Sequence, residues 1–199
     1  MTGPFERCTA DDIARLIDAH PLAWVIAPAP GAAATPLPML LDRDGHGQIA
    51  GLTGHVPKAH PLFAQLTADP RAMFLFQGPQ AYISPEPLSN RDWAPTWNFA
   101  VVRIDAEVHF DDALTDIALR RLVARMEADR ARPWTVEELG GRYARMRDQV
   151  IGFSAAIHRI VPRFKLGQDE QPAAFDEIVD WLGDSALADW MRRFKRDRG

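Results

Sequence analysis

Thr53-Gly-His-Val-Pro-Lys-Ala-His-Pro61, Phe76-Gln-Gly-Pro-Gln-Ala-Tyr-Ile-Ser-Pro85 and Ala94-Pro-Thr-Trp-Asn-Phe-Ala-Val-Val102 are the stretches on which the fold turns. Each joins an apolar run to glycine, proline, amide, histidine or aromatic residues. The second grows out of Met73-Phe74-Leu75-Phe76, and the third leads into Ala100-Val101-Val102. Such runs, bounded by turn formers, predict strands over 71–77, 80–84 and 97–108, with the middle stretch reading as strand, tight turn, strand. Polar residues gathered at the ends of regular elements are what a binding site on a rigid scaffold needs.

Working outward, further strands are predicted over 22–27, 35–41, 49–52 and 150–161, and residues 27–36 and 85–95 read as loops. Asp44-Gly45 is a hairpin-type turn signal. Asp42 and Asp44 do not open a calcium loop, because Thr53 stands where a bidentate Glu is required and His46 where an oxygen ligand is required. Thr9 with Asp12 predicts a capped amphipathic helix through Ile13, Leu16 and Ile17, stopped by Pro21. A short helix is expected over 57–66, with Pro57 and Pro61 in or near its first turn, and another from Asp112 to Met126. Thr135 and Glu138 form a capping box ahead of Leu139, Tyr143 and Met146. Phe175 to Leu182, closed by Gly183, and Leu187 to Phe194 mark the last two helices. About six strands, with helices inserted late rather than alternating, predict an α+β fold around an antiparallel barrel. A doubly wound parallel sheet would need regular βαβ alternation, which is absent.

The 199 residues suffice for one well-buried core. Their net charge of −4 gives no global field that favours nonspecific nucleic-acid binding. The basic cluster Arg192, Arg193, Lys195, Arg196 and Arg198 reads as a solvated C-terminal helix face whose cations suit the helix dipole. One cysteine, Cys8, excludes an intramolecular disulfide and any CxxC motif. No apolar run reaches the roughly 18 residues that would span a bilayer, and MTGPFERC lacks a basic-then-apolar signal pattern, so the expected compartment is the cytoplasm.

At Thr53-Gly54-His55-Val56-Pro57-Lys58 a strand ends and a helix begins. A hydroxyl, an imidazole, an ammonium and free helix N–H groups there suit a phosphate monoester, although the P-loop spacing is missing. A capped helix with exposed polar residues explains the same stretch equally well. Gln77 offers an amide to ring heteroatoms, with Gly78 facing a planar ligand. Tyr82 and Ser84 share a strand face, Trp97 offers cover for a flat ring, and Asn98 offers a polar edge. Phe76 and Phe99 are assigned to the core. There is no G-x-S-x-G, H-E-x-x-H or G-x-G-x-x-G, so no catalytic residue is named and any chemistry must come largely from a bound cofactor.

The order of G-H-V-x-x-A-x-P (Gly54 to Pro61), F-Q-G-P-x-A-Y-I-S-P (Phe76 to Pro85), P-T-W-N-F-A-V-V (Pro95 to Val102), I-G-F (Ile151 to Phe153) and K-L-x-Q (Lys165 to Gln168) closely resembles the PaiB-like family. Its members are described as FMN-binding negative transcriptional regulators. The resemblance implies a six-stranded antiparallel split β-barrel of Greek-key type, related to pyridoxamine-phosphate-oxidase-like flavoproteins. A helical insert is expected at about 112–148 within a domain of 1–170, with 171–199 as a C-terminal helical extension. Such proteins usually form homodimers holding FMN in grooves between subunits. The implied cofactor contacts are Thr53, Gly54, His55 and Lys58 toward the phosphate, and Gln77, Tyr82, Ser84, Trp97 and Asn98 toward the isoalloxazine, with Lys165 and Gln168 approaching from the strand after the insert. Where the family commonly has Ala-Arg-Ala-Asn this chain has Pro57-Lys58-Ala59-His60, which keeps a charge but loses the bidentate fork. The usual K-L-S-Q-N is Lys165-Leu166-Gly167-Gln168-Asp169, and a common Trp-Tyr pair after I-S-P is Glu86-Pro87-Leu88.

The leading expectation is therefore an FMN-binding split barrel, either a flavin-dependent oxidoreductase or a flavin-linked regulator. A regulator acting through a small molecule or protein partner is the alternative, direct DNA contact having only the terminal basic cluster to support it. A haem-binding split barrel is a third, with His55, His60 or His158 as the axial candidates.

Overall fold

The computed structural model describes residues 3–28 and 31–196, Arg196 by its backbone alone. Two residues of the 27–36 loop, Ala29 and Pro30, lie outside the described residues, as do Arg198 and the Arg196 side chain of the basic cluster. In chain order the elements are α1 (Ala10–Ala19), β1 (Leu22–Ile26), β2 (Ala34–Pro38), β3 (Leu40–Arg43), β4 (Ile49–Pro57), α2 (Pro61–Ala68), β5 (Arg71–Ile83) and β6 (Thr96–Phe110). Then come α3 (Asp112–Glu127), a 3-10 turn (Val136–Leu139), α4 (Arg142–Arg147), β7 (Val150–Lys165), α5 (Pro172–Leu182) and α6 (Ala186–Arg196).

The strands form one sheet in the order β2-β1-β5-β6-β7-β4-β3, with β1 antiparallel to β2 and β5, and β4 antiparallel to β3 and β7. Its two edges, β2 and β3, come from one stretch of chain. Pro38 cannot donate to a ladder, and the Met39 N–H turns away to the Pro21 carbonyl at 2.8 Å, so the strand expected over 35–41 divides there. β2 also lies against β4, so the sheet curls until its edges approach, which makes it a split barrel.

The chain divides into two compact units. The larger comprises Ile17–Phe76 and Arg103–Ile160. Its core is built on Phe74, Phe153 and Phe110, with ring centroids 6.4 Å and 5.8 Å apart in that order, and on buried Val25, Leu52, Val56, Leu62 and Ile104. The terminal unit comprises Met1–Leu16, Gln77–Val102 and Val161–Gly199. There Phe164 stacks on Trp190 and Phe194 at 5.6 Å and 5.1 Å, over buried Leu166, Ile178 and Met191.

Several local expectations change. The stretch 71–84 is one strand to Ile83, not two around a turn at Gly78-Pro79. Gly78 is buried because a Cβ there would stand 3.1 Å from Leu16 and 3.3 Å from the Ala100 carbonyl, and the burial alternation reverses just after it. β4 runs on through Pro57, and α2 begins only at Pro61. The capping box of Thr135 and Glu138 forms, but Gly140-Gly141, with Gly140 at φ 51°, breaks the expected helix into a 3-10 turn and α4. Phe76 is core, whereas Phe99 is half-exposed, because Asn98 and Ala100 take the inward positions of β6.

Candidate functional site

In the larger unit Thr53 is only 5% exposed. Its hydroxyl donates to Asp42 Oδ2 at 2.6 Å and accepts from Arg121 Nη1 at 3.3 Å, while Arg121 Nη2 holds Asp42 Oδ1 at 2.7 Å. The hydroxyl is thereby committed to a β3–β4–α3 network. Gly54 faces the other way, where a Cβ would come within 2.9 Å of Met39 and Phe153, so its smallness serves packing rather than ligand approach. His55 shares the Thr53 side of β4 by alternation and lies opposite Gly152. Its Nδ1 is buried with no hydrogen-bond partner among the described residues, and burial lowers its pKa, so the imidazole is neutral at physiological pH.

Lys58 Nζ stands 3.7 Å from Asp112 Oδ1, and its side chain is 39% exposed. Asp112 spends its short contact on Arg147 at 2.6 Å, so Lys58 is the more loosely held of the two cations. Arg147 first, then burial working against it, then Lys58, set the Asp112 carboxyl below its usual range. The expected helix N-terminus at Lys58 is not there. α2 starts with Pro61, which has no N–H, while Leu62 N–H goes to His60 Nδ1 at 3.1 Å and Phe63 N–H to the His60 carbonyl at 3.0 Å. Its first donors are satisfied internally.

In the terminal unit Tyr82 and Trp97 are 47% and 53% exposed and meet edge to face, with centroids 5.9 Å apart. Gln77 is exposed, and Ser84 Oγ accepts from Glu86 N–H at 3.1 Å to shape the turn leaving β5. Asn98, one residue past Trp97, points to the opposite face. It is 1% exposed, its Nδ2 reaches Met191 Sδ at 3.6 Å, and its Oδ1 has no partner among the described residues. Trp97 and Asn98 are thus not turned toward one ligand. Lys165 Nζ donates to Thr96 Oγ1. Gln168 clasps its own turn, accepting from Leu166 N–H at 2.7 Å and donating to the Phe164 carbonyl around Gly167 at φ 76°.

Sequence reasoning missed Arg121, Arg147 and Asp42. No motif marks their roles, since α3 brings Arg121 to Thr53 and Asp42, and α4 brings Arg147 to Asp112, only through tertiary packing.

The chain belongs to the family described as "Putative FMN-binding domain", whose model matches residues 1–159. It is 26% identical over 183 residues to protease synthase and sporulation protein PAI 2 of Bacillus subtilis (strain 168), covering 89% of this chain and 86% of that protein. Among solved structures, it resembles the FAD and heme binding protein from Mycobacterium smegmatis (TM-score 0.57, 15% identity, covering 80% of this chain and 72% of that one). It also resembles the flavocytochrome Anf3 from Azotobacter vinelandii (TM-score 0.56, 20% identity, 90% and 75%). These structures share its fold. The resemblance drawn from the sequence motifs holds, and the chain is an FMN-binding split-barrel protein.

Taken by itself, the larger unit has groups that suit an anion, a buried imidazole nitrogen with no partner among the described residues and a lysine held at only 3.7 Å. The terminal unit, taken by itself, has an exposed aromatic pair that suits an apolar ring. No helix among the described residues is long and apolar enough to cross a membrane.

Proposed function

We propose that this FMN-binding protein works as a flavin-dependent oxidoreductase rather than as a direct DNA-binding repressor. The observation that carries the reading is the half-exposed Tyr82–Trp97 pair, an exposed aromatic patch with nothing in the described chain covering it. Bound FMN supplies hydride exchange at its ring. Tyr82 and Trp97 cover a ring face and keep water from it. In the larger unit, Lys58 and neutral His55 are the candidate phosphate contacts, Lys58 exchanging its long Asp112 contact for a phosphate oxygen. Against direct DNA contact, Arg192, Arg193 and Lys195 are each paired with a carboxylate, on Asp189, Asp12 and Asp176. A homodimer working in the cytoplasm completes the reading. It is supported by the exposed Leu22 and Trp24 on β1, Trp24 being flanked in register by Pro36 and Leu75.

Titration of the purified chain with FMN, followed by flavin fluorescence, tests this. Saturable quenching is expected, together with FMN-dependent oxidation of NADH or NADPH. Lys58→Gln should weaken FMN binding about tenfold or more, the size of one charge-assisted contact. Unquenched FMN at every protein concentration would overturn the reading.

A further inference from the structure

The turn after β7 and helices α5 and α6 line a half-open pocket of about 160 Å³ within the terminal unit. Leu166, Pro172, Phe175 and Phe194 wall it, and Glu170 and Lys195 stand at its polar end. All of these residues lie beyond the stretch 1–159 that the family model matches. The volume is that of one aromatic ring, since a dry protein cavity of roughly 150 Å³ takes up benzene.

The polar end has a sign. Glu170 is engaged by Trp93 Nε1–H at 2.7 Å. Lys195 Nζ lies 4.8 Å from the centroid of the Phe175 ring, against the pocket wall, and pairs with Asp176. That pair is exposed on both sides, so it contributes little and an incoming carboxylate can take its place. Beyond the pocket's own lining lies a further polar group. Met191 packs against Gly167, its Cε 3.1 Å from where a Gly167 Cβ would stand, and its flexible thioether touches Asn98 Nδ2 through Sδ. Asn98 is 1% exposed, and its Oδ1 has no hydrogen-bond partner among the described residues. A buried carbonyl oxygen without a donor calls for one.

We propose that this pocket, which Gln168 also lines, is a second small-molecule site, separate in its residues from the Lys58, His55, Tyr82 and Trp97 contacts. Its ligand is a monocyclic aromatic carboxylate carrying a hydrogen-bond donor at the far end of the ring. The carboxylate meets Lys195, the ring lies between Phe175 and Phe194, and the donor reaches Asn98 Oδ1 as Met191 moves aside.

The test is calorimetric titration of the full chain, with and without FMN, using 4-hydroxybenzoate, benzoate and 4-hydroxybenzyl alcohol. Saturable binding of 4-hydroxybenzoate is expected, about tenfold tighter than either analogue. Lys195→Gln should erase its advantage over the alcohol, and amide resonances of Leu166, Gly167 and Phe175 should shift in the unaltered chain. Absence of saturable binding, or undiminished binding to the Lys195→Gln chain, would overturn the proposal. Because the titration is run without FMN as well, its outcome is independent of whether the flavin reading holds.

Discussion

His55 Nδ1 is buried without a protein partner, so protonating the ring would place a charge where nothing compensates it. Burial holds the pKa of His55 below its ordinary 6.5, and that of His20 moves the same way for the same reason. Between the lowered value and 6.5 the unfolded chain binds more protons than the folded one. The stability gained from the neutral ring is therefore complete above 6.5 and is lost as pH falls through the lowered value. Urea midpoints of the flavin-free chain should fall between about pH 8 and about pH 5, and His55→Gln should flatten part of that slope. Cys8 shows the opposite case. Burial first, and then the Asp12 charge, push its thiol up to about 11. Its reaction with a disulfide reagent at neutral pH should be slow, speeding up only on unfolding. Asp12 itself is 2% exposed. Burial works to raise its carboxyl, but hydrogen bonds from Thr9 and the Arg193 guanidinium, whose Nε stands 2.7 Å away, outweigh it and lower the pKa.

Gly152 decides how α3 docks. Its N–H donates to the fully buried Thr115 Oγ1 at 2.9 Å, and its carbonyl accepts from Asp111 N–H at 3.1 Å. A Cβ at this position would lie 2.6 Å from the Leu114 carbonyl carbon and the Thr115 nitrogen, which are backbone atoms that cannot swing away. Gly152→Ala should cost about 3 kcal/mol in urea denaturation, at the upper end for overpacking. Thr115→Val should cost about 1–3 kcal/mol by leaving the Gly152 N–H buried and unpaired. The I-G-F motif was visible in the sequence, whereas its reason, a helix arriving from thirty-odd residues away, was not. Helix starts with local signals were legible, as at Thr9–Asp12, where both reciprocal hydrogen bonds form, and at Asp112, where α3 begins behind the Asp111 cap, whose Oδ1 accepts from Ala113 N–H. Elements whose course depends on distant partners were misjudged. β5 continues through Gly78-Pro79 because Leu16 and Ala100 close over the glycine.

For the whole molecule, the proposed dimer gives a direct expectation. Sedimentation equilibrium should report twice the 22.2 kDa chain mass, and Trp24→Glu should shift the population toward monomer by setting a charge on the exposed β1 face. A monomer at every concentration would remove that surface as the interface. The family, the antiparallel strand content and the flavin class were determined by the sequence alone, because they rest on local composition and on ordered motifs that survive without coordinates. The tertiary structure decided which motif residues remain available to a ligand. It turned Gly54 into core, locked the Thr53 hydroxyl onto Asp42 and Arg121, and set Trp97 and Asn98 on opposite faces of one strand. It left Lys58, His55, Tyr82 and Trp97 as the groups with something to offer. The physical reason is that a residue's chemistry is carried in its identity, while its freedom to use that chemistry depends on neighbours brought from far along the chain.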